Sequence, residues 1–188
     1  MKVLIEGSAR HAHLKQEDME ALFGKDFQLT RVRELSQPGE FLTNEKVTLV
    51  GSKGRIERVS ILGPIRKATQ VEISLTDARA LGVSAPIRLS GDVAGSAAIR
   101  LEGPAGSVDL SEGCVVAKRH LHVIPEDVKK LGIEGRETIS IKVEGERGLV
   151  FDEVSVRVSE KFATAAHLDY DEMNAAGLSG EIYGEIIK

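Results

Sequence analysis

Two stretches of this chain carry the same set of reactive side chains. "SARHAHLKQED" lies within the first twenty residues and "AKRHLHVIPED" lies around position 120, and both read R-H-x-H-x-x-x-E-D. They hold four of the five histidines in the sequence. On a strand, residues i and i+2 point to the same face. His11 and His13 can therefore reach one metal ion, and His120 and His122 can reach another.

The pattern is part of a duplication. Arg10, His11, His13, Glu17, Asp18 and Leu22 recur as Arg119, His120, His122, Glu126, Asp127 and Leu131, each shifted by the same 109 residues (119 − 10). A second correspondence relates "VEISLTDARALGV" from Val71 to "AHLDYDEMNAAGL" from Ala166, at a shift of 95 (166 − 71). It sets Glu72 against His167, Asp77 against Glu172 and Gly82 against Gly177. Each half thus holds an HxH pair and one further ligand-type residue, Glu72 in the first half and His167 in the second, just before a short helical pattern. His/His/Glu and His/His/His are three-ligand sets typical of catalytic zinc, which keeps a fourth position open. Imidazole also suits iron, nickel and copper, so a metal is indicated more firmly than its identity. A lone HxH pair is weak evidence, but all five histidines fall into the repeat.

Other residues near these positions have plainer readings. Glu17 and Glu126 could extend the metal sets, as in the cupin motif. Each, however, precedes an Asp and a helical pattern, with Pro125 suited to a first helical turn. First-turn acids complement the helix dipole, and capping is the preferred role. In "ILGPIRKATQVEIS", Arg66 and Lys67 precede Glu72. Arg is suited to bidentate phosphate contacts, although a surface strand charge would look the same. Arg10 and Arg119 read equally as supports of the metal sets or as structural residues.

The elements that must position these residues are short. Runs such as "KVLIE", "EKVTLVG", "RIERVSILG", "QVEIS", "APIRLSG", "AAIRLEG", "GSVDLSEG", "CVVAKRH", "TISIKVEG", "LVFDEVSVRVS" and "EIYGEIIK" read as strands, many of them alternating apolar and polar residues. "GPAG" and "EGERG" read as hairpin loops. "EDMEALFG", "LTDARALG", "PEDVKKLG" and "DEMNAAGL" read as short helices with a Gly at or near their ends. Many short strands suggest barrels or sandwiches rather than a parallel sheet. With the duplication, the expectation is a mainly β chain of two similar β-barrel domains capped by short helices.

Composition removes several function classes. The 188 residues carry a net charge of −4, and no Lys/Arg run exceeds two residues, which points to neither a nucleic-acid nor a membrane partner. Aromatic residues make up 4% and Trp is absent, which leaves no base-stacking platform. The single cysteine, Cys114, excludes an intrachain disulfide, fits a reducing compartment and reads as a buried apolar residue. "MKVLIEGS" is no signal peptide, and no apolar run approaches the roughly 20 residues of a membrane span. No P-loop, GxGxxG or G-x-S-x-G motif occurs.

The residues also resemble a known family. "SARHAHL", "EALFG", "LSQPGEF", "VTLVG", "ILGPIRKATQVEIS", "SGDVAGS", "GSVDL", "AKRHLHV", "PEDVKKLG" and "NAAGL" are similar, in order and spacing over nearly the whole chain, to the PduL-type phosphate propanoyltransferases, or phosphotransacylases. The resemblance implies two barrels, one over residues 10–117 and one over 118–188 joined by the N-terminal strand at 1–9. It implies a dinuclear zinc site between them, with His11, His13 and Glu72 as one ligand set and His120, His122 and His167 as the other. It implies that Arg66 contacts phosphate and serves catalysis, that acyl-CoA and phosphate are the substrates, and that acyl phosphate and coenzyme A are the products. A homo-oligomer is left open. Lys15 and Ile124 stand where the family usually has Ser or Thr at two helix starts, which predicts weaker starts. Ala97 and Ala98 replace a Pro and a Gly in one loop. Family members sent to bacterial microcompartments carry an N-terminal helical extension. This chain begins on its first strand, which argues against that route and for the cytoplasm.

Two other functions compete. A mononuclear cupin-like isomerase or dioxygenase would use Glu17 as a ligand. A metal-stabilised binding module would close its sites with four protein ligands, whereas only three are evident in each half.

Overall fold

A strand that alternates apolar and polar residues must have its apolar face covered. In this chain the sheets achieve that by closing on themselves. The computed structural model describes residues 1–187. It divides the chain into two units, Arg10–Ala117 and Met1–Ala9 with the chain from Lys118 onward. Among the described residues the first elements are β1 (Lys2–Ser8), β2 (His11–His13), α1 (Gln16–Phe23), β3 (Arg31–Glu34), β4 (Phe41–Val50), β5 (Arg55–Gly63) and β6 (Gln70–Ile73). They are followed by α2 (Leu75–Leu81), β7 (Ile87–Arg88), β8 (Ala97–Glu102) and β9 (Ser107–Ala117). The remainder are β10 (His120–Val123), α3 (Pro125–Leu131), β11 (Thr138–Val143), β12 (Leu149–Val158), β13 (Ala165–Asp169), α4 (Tyr170–Ala175) and β14 (Ile182–Ile187).

In the unit formed by Arg10–Ala117, strands β4, β5, β2, β6, β9 and β8 form a ring that closes when β8 pairs with β4. β3 extends the sheet beside β4, and β7 lies beside β9. In the other unit β1, β13, β10, β12, β11 and β14 close a ring of their own. The chain is therefore mainly β, with two closed barrels of six strands and a few short helices.

The two rings match strand for strand. β2, β5 and β6 correspond to β10, β12 and β13, with parallel and antiparallel pairings preserved. β1 occupies the place that β9 fills in the other ring, parallel to β13 and antiparallel to β14 as β9 is to β6 and β8. The first residues of the chain thus complete the barrel whose other strands come last.

Each barrel holds its own apolar core. β4 turns Phe41, Val47 and Leu49 inward, and β11 turns Ile139, Ile141 and Val143 inward. Met19 and Leu22 of α1, with Leu81 of α2, close one core. Leu131 of α3 and Met173 of α4 close the other. Cys114 is fully buried in the first core, and burial pushes its thiol up to about 12.

Some strand boundaries differ from the sequence reading. "GSVDLSEG" and "CVVAKRH" are largely one strand, β9, because Gly113 continues it at φ 126. "APIRLSG" contributes only Ile87–Arg88, and its remainder turns through Asp92 N–H to Leu89 O and Ser96 N–H to Val93 O. β3 is exposed throughout and lacks the alternation that would have marked it. In "EIYGEIIK", β14 runs to Ile187, and Lys188 lies outside the described residues.

Two devices shape the walls around the HxH strands. Arg58 in β5 and Glu153 in β12 adopt φ of 58° and 54°, at register shifts in β5 and β12. Such bulges bend a strand and increase its twist. Two residues later, Ser60 and Ser155 lie opposite His11 and His120. The second device is a close approach of hairpin to helix. A Cβ on Gly51 would lie 2.1 Å from Leu81 O, and one on Gly103 would lie 2.4 Å from Leu22 O. Glycine at these turns lets the hairpins donate Lys53 N–H to Leu81 O and Ala105 N–H to Leu22 O, carbonyls at the ends of α2 and α1.

Candidate metal centres

The short strand His11–His13 is buried at every residue. Ala12 faces the core while the two imidazoles share the opposite face, their ring centres 5.0 Å apart. Across the antiparallel pair β2–β6, Glu72 lies directly opposite His11. One ligand-type atom from each of His11, His13 and Glu72 lies within 4.8 Å of the others. In the other unit, His167 lies directly opposite His120 across β10–β13, and His120, His122 and His167 form the equivalent group. One rule thus builds both clusters: an HxH strand with the third residue on its antiparallel neighbour.

The environments suit a cation held by neutral imidazoles. His13 Nδ1 is 3.1 Å from Leu62 O, and His120 Nδ1 is 2.9 Å from Lys118 O. A carbonyl at Nδ1 orients the ring and favours Nε2 as the ligating atom. Burial, then His11 and then Arg66 hold His13 well below the usual imidazole range, against a raising contribution from the Leu62 carbonyl. Burial, then His120 and His122, does the same for His167. His122 falls to about 3 through burial, His120 and Arg157. Neutral imidazole is the form that binds metal.

His122 supplies a direct test of fit. Among the described residues, its two ring nitrogens are the only buried side-chain nitrogen or oxygen atoms without a hydrogen-bond partner. The ring stacks on Phe162 with centroids 3.9 Å apart. A buried polar atom left unsatisfied costs about 1–3 kcal/mol, and a metal bond at Nε2 would remove half of that deficit. With the His/His/Glu and His/His/His donor sets, these residues fit zinc.

The same elements explain the Arg and acidic residues of the repeat. Arg10 reaches both carboxylate oxygens of Asp77 at 2.8 Å, and Arg119 Nε lies 2.7 Å from Glu172. Asp77 and Glu172 each complete a capping box, with Ser74 at the start of α2 and Asp169 at the start of α4. Each Arg therefore ties the HxH strand to the helix that follows the third ligand. Glu17 is exposed in the first turn of α1 and belongs to neither cluster. Glu126 pairs with Lys130 on the surface. The cupin-like alternative thereby loses its fourth ligand.

As Lys15 and Ile124 suggested, neither α1 nor α3 has a side-chain cap at its start. Thr69 Oγ accepts Lys15 N–H at 3.0 Å and donates to Asp18 at 2.6 Å. Thr164 does the same between Ile124 N–H, at 3.3 Å, and Asp127, at 2.7 Å. In each case a threonine from the neighbouring segment stands between the N-cap N–H and the first-turn acid three residues on, which in a capping box pair directly. Thr69 precedes Glu72 by three residues, and Thr164 precedes His167 by three.

Arg66 is half-buried beside the first cluster. Its backbone N–H donates to Leu14 O at 2.9 Å, which ties it to the residue after His13. Its guanidinium donates to Glu40 at 2.7 Å and to Ser90 Oγ at 3.1 Å. Lys67 is exposed. Glu40 and Ser90 lie outside the duplicated pattern, although within the family-like stretches "LSQPGEF" and "SGDVAGS".

A model of the phosphate propanoyltransferase family matches residues 4–179. A phosphate propanoyltransferase of Listeria monocytogenes is 52% identical over 186 residues, covering 99% of this chain and 87% of the relative. One from Enterococcus faecalis is 48% identical, covering 98% and 87%, and one from Thermotoga maritima is 48% identical, covering 94% and 85%. A family match over nearly the whole length, with identities near one half, means that the chain belongs to the phosphate propanoyltransferase family.

Proposed function

We propose that this acyltransferase converts acyl-CoA and phosphate reversibly to acyl phosphate and CoA, with acetyl or propanoyl as the acyl group, at a dinuclear zinc site. His11, His13 and Glu72 would hold one ion, and His120, His122 and His167 the other. The observation that carries the reading is the pair of three-residue clusters, each one ligand short of a closed tetrahedral site. When bound, zinc supplies Lewis-acid stabilisation of negative charge at the acyl carbonyl and an attraction for the departing thiolate.

The chain's own residues do the positioning. Arg66 holds phosphate through its guanidinium, and the incoming dianion takes the place of Glu40. Until then Glu40 and Ser90 keep the guanidinium extended and oriented, which limits reorganisation on binding. A phosphate oxygen forms the new C–O bond to the acyl carbon. The C–S bond breaks with its electron pair on sulfur, and CoA leaves as the thiolate. Phosphate is already nucleophilic, so no side chain is assigned as a general base.

The test is phosphate-dependent release of CoA thiol from acetyl-CoA and propanoyl-CoA, before and after the protein is stripped with a chelator. Release should require both phosphate and metal, and return on adding zinc. Undiminished release from metal-free protein would sink the zinc site. No release from zinc-replete protein with either thioester would sink the activity. Arg66→Ala should raise the phosphate KM about 100-fold, as expected for loss of a charged phosphate contact, with both zinc ions still bound.

A further inference from the structure

Resting on the reading of Arg66 as the phosphate-holding residue, we infer that Gln70 is a positioning residue that joins the metal-ligating and phosphate-holding parts of the Arg10–Ala117 unit into one hydrogen-bonded assembly. Gln70 lies on β6, two residues before Glu72 and directly opposite His13, and is 2% exposed. Its Oε1 accepts Gly91 N–H at 2.7 Å, which settles the orientation of the amide. Nε2 therefore presents its two hydrogens to Glu72 Oε1 and, at 3.0 Å, to Ser90 Oγ. Ser90 Oγ also accepts from Arg66 Nη1. The chain of bonds runs Glu72, Gln70, Ser90, Arg66, with every polar atom of the Gln70 amide engaged.

The duplication shows that the fold does not require this amide. In the other barrel, the position opposite the second histidine of the HxH pair is Ala165, which faces His122. A closed barrel with an HxH cluster forms there without it. A buried amide that satisfies a metal-ligand carboxylate on one side and a phosphate-binding network on the other is explained by the site. By donating to Glu72 it sets the carboxylate's rotamer. By donating to Ser90 it leaves that oxygen placed to receive Arg66.

The variants are Gln70→Met, which keeps length and removes every hydrogen bond, and Ser90→Ala, which cuts the chain of bonds past Gln70. Each is loaded with zinc. Three quantities are read: the affinity for inorganic phosphate by calorimetric titration, zinc retention against a competing chelator without substrates, and the KM values for phosphate and acyl-CoA. Gln70→Met should weaken phosphate binding at least tenfold and loosen one of the two zinc ions at least tenfold. Its acyl-CoA KM should stay within threefold of wild type. Ser90→Ala should weaken phosphate binding similarly and leave zinc retention unchanged. A Gln70→Met protein with wild-type phosphate affinity overturns the link. So does an equal rise in both KM values, which would mark general disorder of the site. Should Gln70→Met fail to fold, Gln70→Glu keeps an acceptor for Gly91 N–H while losing the donors. It should lose phosphate affinity, and wild-type affinity would overturn the link. A wild-type protein that binds phosphate but releases no thiol overturns the proposed function and not this link, because the titration needs no turnover.

Discussion

The clusters on β2–β6 and β10–β13 occupy the same place in two copies of one barrel, but their surroundings differ in kind. The first has a carboxylate among its three residues, and Gln70 donates to it. The second has three imidazoles, one of which lacks any hydrogen bond. A divalent ion would keep a net charge of about +1 in the first and the full +2 in the second. With an ion bound, the second cluster would be the stronger electrophile, and the first is the one connected through Gln70 and Ser90 to Arg66. Duplication supplied two similar sites, and single substitutions, Glu72 against His167 and Gln70 against Ala165, made them unequal.

Exchanging the third ligands would break that inequality, with the largest effect. His167→Glu should retain metal and lower kcat about 100-fold, because it reduces the charge on the more electrophilic cluster. Glu72→His should lower kcat comparably and also weaken phosphate, since it removes the acceptor for Gln70. Metal analysis and steady-state kinetics read both. Two variants with wild-type kinetics would mean that the clusters are interchangeable.

Acid should separate the clusters next. In metal-free protein, His13, His122 and His167 are held below the usual range, chiefly by burial. The unfolded chain then binds more protons than the folded one once pH falls below about 6.5. Stability is therefore full above that pH and declines as pH drops through it toward the folded values, which for His122 is about 3. The urea midpoint of metal-free protein should fall between pH 7.5 and pH 5.5. Zinc should oppose the fall, because it holds the imidazoles unprotonated. His122→Phe should flatten the dependence and remove one zinc. An unchanged slope in this variant would show that His122 does not contribute.

The helix starts offer a smaller contrast. Thr69→Val should cost about 1–2 kcal/mol in urea denaturation. Thr164→Val should cost about half as much by the same reasoning, because its bond to Ile124 N–H is longer and Asp127 is more exposed than Asp18. Equal costs would remove that distinction. Smallest of all, Arg58→Gly and Glu153→Gly should each stabilise by about 0.5 kcal/mol, since glycine relieves the left-handed backbone at some entropic cost. A loss of more than 1 kcal/mol, about the entropic cost of glycine alone, would show that the side chains hold the bulges.

Much of the site could be read before folding was considered, because ligand chemistry is concentrated in few residue types and strand periodicity is short-range. His11 with His13 and His120 with His122 follow from a spacing of two. Glu72 and His167 follow from aligning the halves. The same alignment carried further signals that a reading of ligands alone passed over. Thr69 and Thr164 share the shift of 95 residues (164 − 69), and so do Arg58 and Glu153 (153 − 58). Gln70, Ser90 and Glu40 left no such trace. Their types are common on any surface, and apart from Glu72 beside Gln70 their partners lie elsewhere in the fold.

The sequence by itself determined that this chain is built of two related mainly β halves, which residues could hold metal, and to which family it belongs. These depend on residue types and intervals along the chain, which no packing can alter. Only the tertiary structure decided that Glu72 faces His11 and His167 faces His120, and which strands β1 pairs with. It alone decided that Arg10 and Arg119 brace helix caps, and that Gln70 joins a ligand to Arg66 through Ser90. Each of these is set by register between distant strands, and register follows from which side chains the closed barrel buries.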